Sequence, residues 1–293
     1  MSNRHCRIVL AAFASVLSLC NPSFADAGLF RAYLSVHGAD TNSCALADPC
    51  RLLPAALAAV ADGGEVWMLD SGNFNTSQVN IGKSVTILAV PGSLGSLVIP
   101  DDGSAIAIDG AGIDVTLRNL VIVNLGRSPS HAILFNQGQQ LLVEGCEMSG
   151  GVSNNGATAV YVADGVVTVK NTTLKTFSVG VSIHNNARVA VTDSTIVNSQ
   201  DGAVAGAGPG FSSSLMVTRV TMSGVDRALR LAAEVGGFAS IVSDGNTFTY
   251  VGTVYWFDKA GGTEVIWTRQ NNTTGFYGSL ITPGGSLSVL NPT

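Results

Sequence analysis

A pattern of apolar residues returns about every 25 residues along the middle of this chain and restricts the folds open to it. It reads VTLRNLVI from Val115, LLVEGCEM from Leu141, VTVKNTTL from Val167, VAVTDSTI from Val189 and LMVTRVTM from Leu215. Positions one, three and eight are apolar, and position five is often Asn, Asp or Gly. Successive starts lie 26, 26, 22 and 26 residues apart. A unit this short cannot bury its apolar face within itself. It must stack on copies of itself, which makes a solenoid.

An earlier match begins at Val85, and weaker ones begin near Ser240 and Val265. Between matches lies a further apolar stretch: HAILFN from His131, TAVYVAD from Thr158, VGVSIHNN from Val179, RALRLAA from Arg227 and GTVYWFD from Gly252. Each repeat therefore holds at least two short strands rich in Val, Ile and Thr, with Gly, Asn and Asp at its corners. Propeller blades need roughly 40 residues or more, and leucine-rich repeats need recurrent Leu with a helical return. Here the returns are β-like and the inner residues are mixed. An all-β parallel β-helix remains, in which each strand pairs with its equivalent one coil above. Roughly nine coils at about 4.8 Å each would make a rod of about 40 Å.

The ends of the chain read differently. Arg4 and Arg7 precede an apolar stretch, Ile8 to Leu19, and a small-x-small site ends at Ala25 or Ala27. Residues 1–25 are expected to be a secretory signal peptide. Its removal leaves 13 basic against 20 acidic residues, a net charge of −7. That balance argues against nucleic acid or an anionic membrane surface as the main partner. No later apolar run is long enough to span a membrane, so the expected location is secreted, periplasmic or extracellular. Cys44 and Cys50 enclose a short loop, which in an exported chain reads as a disulfide. Cys146 stands alone and reads as a buried, inert thiol. Phe30 to Ser35 reads as a strand, and Arg51 to Ala61 as a helix placed to cover the open end of the stack. The expected organisation is residues 28–64 as strand, disulfide loop and capping helix, and 65–293 as the coils with a C-terminal cap.

The h-x-h-x-N-x-x-h coils, the recurrent Asn at the corner and the preceding helix carry a resemblance. The chain is similar to right-handed parallel β-helix proteins of the pectin-lyase-like superfamily, of an exported bacterial type, over about residues 30 to 275. The resemblance implies the fold and a groove along one face of the rod. It does not imply one activity, because the fold hosts lyases, hydrolases, epimerases and adhesins. Enzymes of the superfamily usually act on acidic polysaccharides. Their lyases need a base and a cation or Arg to neutralise the uronate carboxylate. The calcium-dependent members cluster Asp residues on adjacent coils. Here Asp193, Asp201, Asp226 and Asp244 are scattered over the repeat, so no cofactor or metal is expected. The Asn-Thr-Asp, Asp-Asp and Gly-His-Gly signatures of the galacturonan hydrolases are missing from the coils.

Strand alternation suggests where chemistry would sit. If Val181 and Ile183 point inward, Ser182 and His184 point out, and in the same frame Tyr161, Arg230 and Tyr255 share their face. Tyr161, Ser182, Arg230 and Tyr255 are the candidate ligand stripe, with Arg230 placed to pair a carboxylate. His184 is the candidate base, Asp201 the candidate acid and Arg230 the third catalytic candidate. The leading expectation is an exported β-helix protein, non-catalytic or of uncharacterised activity, that presents this face to a polysaccharide or cell-surface glycan. The alternatives are a lyase or glycoside hydrolase acting on acidic polysaccharide, and a structural or adhesive surface protein.

Overall fold

A computed structural model describes residues 28–101, 103–125, 130–151 and 156–290. The expected signal peptide lies outside them. Apart from one helix, the regular elements are strands, paired in parallel into an 11-stranded and a 15-stranded sheet. The larger sheet folds over on itself. Its strand Thr221–Ala233 pairs through Thr221–Ser223 with Thr195–Val197, and through Arg227–Ala233 with Asp201–Ala207. The coil is thus three-sided, and the stack runs to about eight turns. The sequence pattern suggested at least two strands per coil because the eight-residue motif itself bends. In VTLRNLVI, Val115 to Arg118 belongs to the first face and Leu120 to Ile122 to the second.

The corner inside that motif explains the Asn. Val115 and Leu117 point into the core, Asn119 adopts φ 55°, and Leu120 and Ile122 point inward again. A left-handed residue here resets the alternation, so positions one, three, six and eight are buried. Asn and Gly reach this conformation at least cost. Asn119, Gly145, Asn171, Asp193, Arg219 and Gly245 all have positive φ. The last of these replaces the expected Asp244, because Leu215 pairs with Ile241 rather than with Ser240.

Just inside the corner runs a ladder of polar groups. The Cys146 N–H donates to Thr172 Oγ1 (3.3 Å), the Thr172 N–H to Ser194 Oγ (3.2 Å), the Val220 N–H to Asn246 Oδ1 (2.9 Å) and the Asn246 N–H to Asn272 Oδ1 (2.8 Å). Each side chain satisfies a backbone donor one coil below, as buried donors require. Burial pushes the Cys146 thiol up to about 11, so it is inert at neutral pH. On the second face, Thr173, Thr195, Thr221, Thr247 and Thr273 stack in register, each pair adding cross-strand contact on a polar surface.

The base of the rod is closed as expected, with one adjustment. The helix spans Leu53–Ala59 and buries Leu53, Ala56 and Leu57 against the first strands. It stops before Ala61 because Val60 turns extended (ψ 142°) and opens strand Val60–Met68, pairing with Leu29. Cys44 and Cys50 are joined, with Cα atoms 4.6 Å apart. At the other end, Thr273–Ile281 and Leu287–Val289 continue the coils. No helix among the described residues is long and apolar enough to cross a membrane.

Candidate functional site

The third face is formed by the strands on which the sequence placed the candidate stripe. Its strands share a kink in which two consecutive residues turn inward: Ala132 then Ile133, Ala159 then Val160, Gly180 then Val181, Gly202 then Ala203, Ala228 then Leu229, Val254 then Tyr255. The first of each pair is small in all but the last strand, which lets the backbone turn without crowding the core. The next residue points out. That outward column reads Leu134, Tyr161, Ser182, Val204, Arg230 and Trp256, each in register with the next.

Tyr161, Ser182 and Arg230 therefore share one column, with Val204 between the last two. Tyr255 does not belong to it. Its side chain is 3% exposed, its hydroxyl accepts a hydrogen bond from Asn272 Nδ2 (3.1 Å), and its ring meets Phe248 edge-on at 6.1 Å. Simple alternation from Val254 places Tyr255 outside, but the kink puts both residues inside and sends Trp256 out.

Aromatic rings stack along the lower part of the face. His131 lies 4.8 Å from Tyr161, and Tyr161 lies 4.9 Å from His184, with interplanar angles of 25° and 27°. These separations match the rung repeat of about 4.8 Å, so the rings lie across the rod and cover one another's faces. They turn edges rather than faces outward, and of the polar edge atoms His131 Nδ1 is itself buried with no hydrogen-bond partner. Ser182 Oγ lies 3.0 Å from His184 Nε2. Burial pushes both histidines below their ordinary value, and for His131 the neighbouring His184 adds to the effect. At neutral pH both are uncharged imidazoles. Gly206 makes room for His184, since a Cβ there would come within 3.2 Å of its Nδ1. His131 was missing from the sequence-derived set because it stands before the kink, where alternation counted from Val181 does not reach. The available signal was the column of small residues that marks the kink.

Further up, four charges close on one another. The Asp201 side chain is 2% exposed and lies 2.5 Å from Arg227 Nε and 3.1 Å from Arg230 Nη1. Arg227 Nη2 donates to Asp201 Oδ2 at 2.8 Å. Arg230 also grips Asp258 through Nη2 (2.6 Å), and Trp256 Nε1 donates to Asp258 Oδ1 (2.8 Å). The Arg227 guanidinium sits 5.5 Å from the Trp256 ring centroid. Burial pushes the Asp201 carboxyl above its ordinary value, against the pull of both guanidiniums. Asp258, more than any other partner, raises Arg230.

This arrangement corrects two sequence-derived roles. Arg230 is not a free cation awaiting a substrate carboxylate, because Asp201 and Asp258 hold it. Asp201 is not an available acid, because it is enclosed and doubly paired. Arg230 also stands two rungs above Ser182, about 10 Å away. Among the described residues no hydrogen bond links His184 with Asp201 or Arg230, and no group of three or more His, Cys, Asp or Glu side chains is placed to hold a metal ion.

Residues 104–275 match a family model described as a right handed beta helix region. Among solved structures, the chain is similar to a pectin methylesterase from Aspergillus niger (13% identity, TM-score 0.57, covering 85% of this chain and 86% of that one). It is also similar to a rhamnogalacturonan lyase (14%, 0.51, 89% and 84%) and to a GH136 lacto-N-biosidase from Eubacterium ramulus (11%, 0.51, 89% and 67%). At these identities the likeness is one of fold. No curated protein sequence matches the chain.

Proposed function

The chain belongs to the right-handed β-helix family, and from that premise we propose that it is an exported glycan-binding protein that holds a sugar chain along its third face without cleaving it. The observation that carries this reading is the straight outward column from Leu134 through Tyr161 and Ser182 to Arg230 and Trp256, flanked by His131 and His184. A polymer lying along the rod meets a hydrogen-bonding edge or an ion pair on most rungs. Hydroxyl-rich ligands are recognised by such fixed, part-buried polar groups. Catalysis is disfavoured because Asp201, Arg227, Arg230 and Asp258 engage one another. Export is supported by the Cys44–Cys50 bond, which belongs to an oxidising compartment, and by the pattern of residues 1–25. The partner is a polysaccharide or cell-surface glycan.

The test is a glycan array probed with the mature chain and with Tyr161→Ala. Binding that weakens on the order of ten-fold in the variant, matching a loss of ~1.4 kcal/mol, supports the reading. Binding that is indifferent to Tyr161 refutes it. A hydrolase or lyase is the second reading, favoured by the contact between Ser182 Oγ and His184 Nε2 at 3.0 Å. Turnover of a polysaccharide, followed by reducing ends or absorbance of unsaturated products and abolished by His184→Ala, would put this second reading first.

A further inference from the structure

From the charge pairing on the third face, we infer that its ligand is an uncharged glycan rather than a polyuronate. The inference rests on the glycan-binding reading above and names the ligand class of the same site. It departs from the acidic polysaccharides that the sequence resemblance suggested.

The argument is one of charge and desolvation. Recognition of a uronate needs a cation that its carboxylate can claim. Among the described residues of these strands, Arg227 and Arg230 carry the guanidiniums, and Asp201 and Asp258 neutralise them at 2.5–3.1 Å. The His131 and His184 rings sit half-buried in their uncharged form. Lys259, just beyond strand Thr247–Phe257, points its ammonium at the Pro283 carbonyl. Asp109 ends one strand of the face, and Asp164 and Glu234 follow two others. A polyuronate would thus bring one carboxylate per sugar towards a surface where Arg227 and Arg230 are already paired and Asp109, Asp164 and Glu234 stand at the strand ends. Breaking Arg230 away from Asp258 to receive it would strand Asp258. Like charges brought together repel, more strongly where the surface is drier, and the repulsion repeats along the polymer.

Uncharged hydroxyls meet no such penalty. The Tyr161 hydroxyl and the outer lone pairs of Asp258 offer both donors and acceptors. The Arg230–Asp258 pair stays intact and gives charge-assisted hydrogen bonds to a neutral partner.

The experiment compares polygalacturonate with the same polymer after its carboxyls are reduced to primary alcohols, beside an array of neutral and acidic glycans. The mature chain is titrated by affinity electrophoresis and calorimetry at two salt concentrations. The expected result is binding to neutral glycans that is insensitive to salt, with the reduced polymer held at least ten-fold more tightly than its parent. Asp258→Asn, which frees one side of Arg230, is expected to raise affinity for the parent polymer several-fold. Binding of uronates as tightly as neutral glycans, weakened by salt, would overturn this inference and leave the glycan-binding reading standing. Absence of binding across both the array and the polymers would refute the glycan-binding reading itself, and this inference with it.

Discussion

Removal of Asp201 tests whether the charge cluster is a fixed structural clamp. In Asp201→Ala, Arg227 loses its carboxylate, while Arg230 keeps Asp258. Truncating one partner of a buried ion pair costs about 3–5 kcal/mol, because the other charge stays desolvated. The Arg227 and Arg230 side chains are 22% and 27% exposed, so water relieves part of that cost and places the loss near ~3 kcal/mol. For a chain of this size that corresponds to a Tm about 6–12 °C lower. The same reasoning gives a second, less intuitive result. The raised carboxyl of Asp201 says that burial opposes its charge. Replacing both members, Asp201→Leu with Arg227→Met, removes the unpaired charge and should recover most of the loss. Chemical denaturation followed by circular dichroism measures both variants. A single variant within ~0.5 kcal/mol of the parent would show that the cluster is not a clamp. A double variant as unstable as the single would show that the loss comes from packing rather than from an uncompensated charge.

Other consequences follow from named contacts. Asn246 is fully buried, accepts the Val220 N–H (2.9 Å) and donates to the Val217 carbonyl (2.9 Å) and Ser243 Oγ (3.0 Å), so Asn246→Ala should cost about 3 kcal/mol in equilibrium unfolding. His131 and His184 are held below their ordinary value of 6.5 in the fold, so above about that pH both folded and unfolded chains leave them neutral. As pH falls through the unfolded value, the unfolded chain takes up protons that the folded chain refuses. Tm should therefore be insensitive to these groups from pH 8 to about 6.5 and decline below it towards pH 5, and His131→Gln with His184→Gln should flatten that decline relative to the parent. Cys44 and Cys50 are six residues apart, and opening this small loop should cost about 2 kcal/mol. The loss should appear as faster hydrogen exchange at the Tyr33 and Cys50 N–H groups, which bond across the loop to Cys44 and Tyr33 carbonyls.

The coil was legible because burial imposes its spacing on the sequence directly. Val115, Leu117 and Ile122 are apolar because they have no alternative to the core, and Asn119 is polar because few residues accept φ 55° cheaply. The third strand was harder to read. Its inward residues do not alternate, since a small residue such as Ala159 or Gly180 precedes the large one and spends one position on a kink. Counted from Val181, alternation sets Ser182 and His184 on the outer side. The same frame was misapplied at Tyr255, which register places beside Leu229 in the inward column of Val181. The charge cluster was illegible for a different reason. Asp201, Arg227, Arg230 and Asp258 lie up to 57 residues apart in sequence and meet only once parallel register sets Asp201 beside Arg227. A cation and a carboxylate read separately from sequence both look available to a ligand. Only their separation in space shows that they have already chosen each other, so neither is the free group that a uronate site read from the sequence would need.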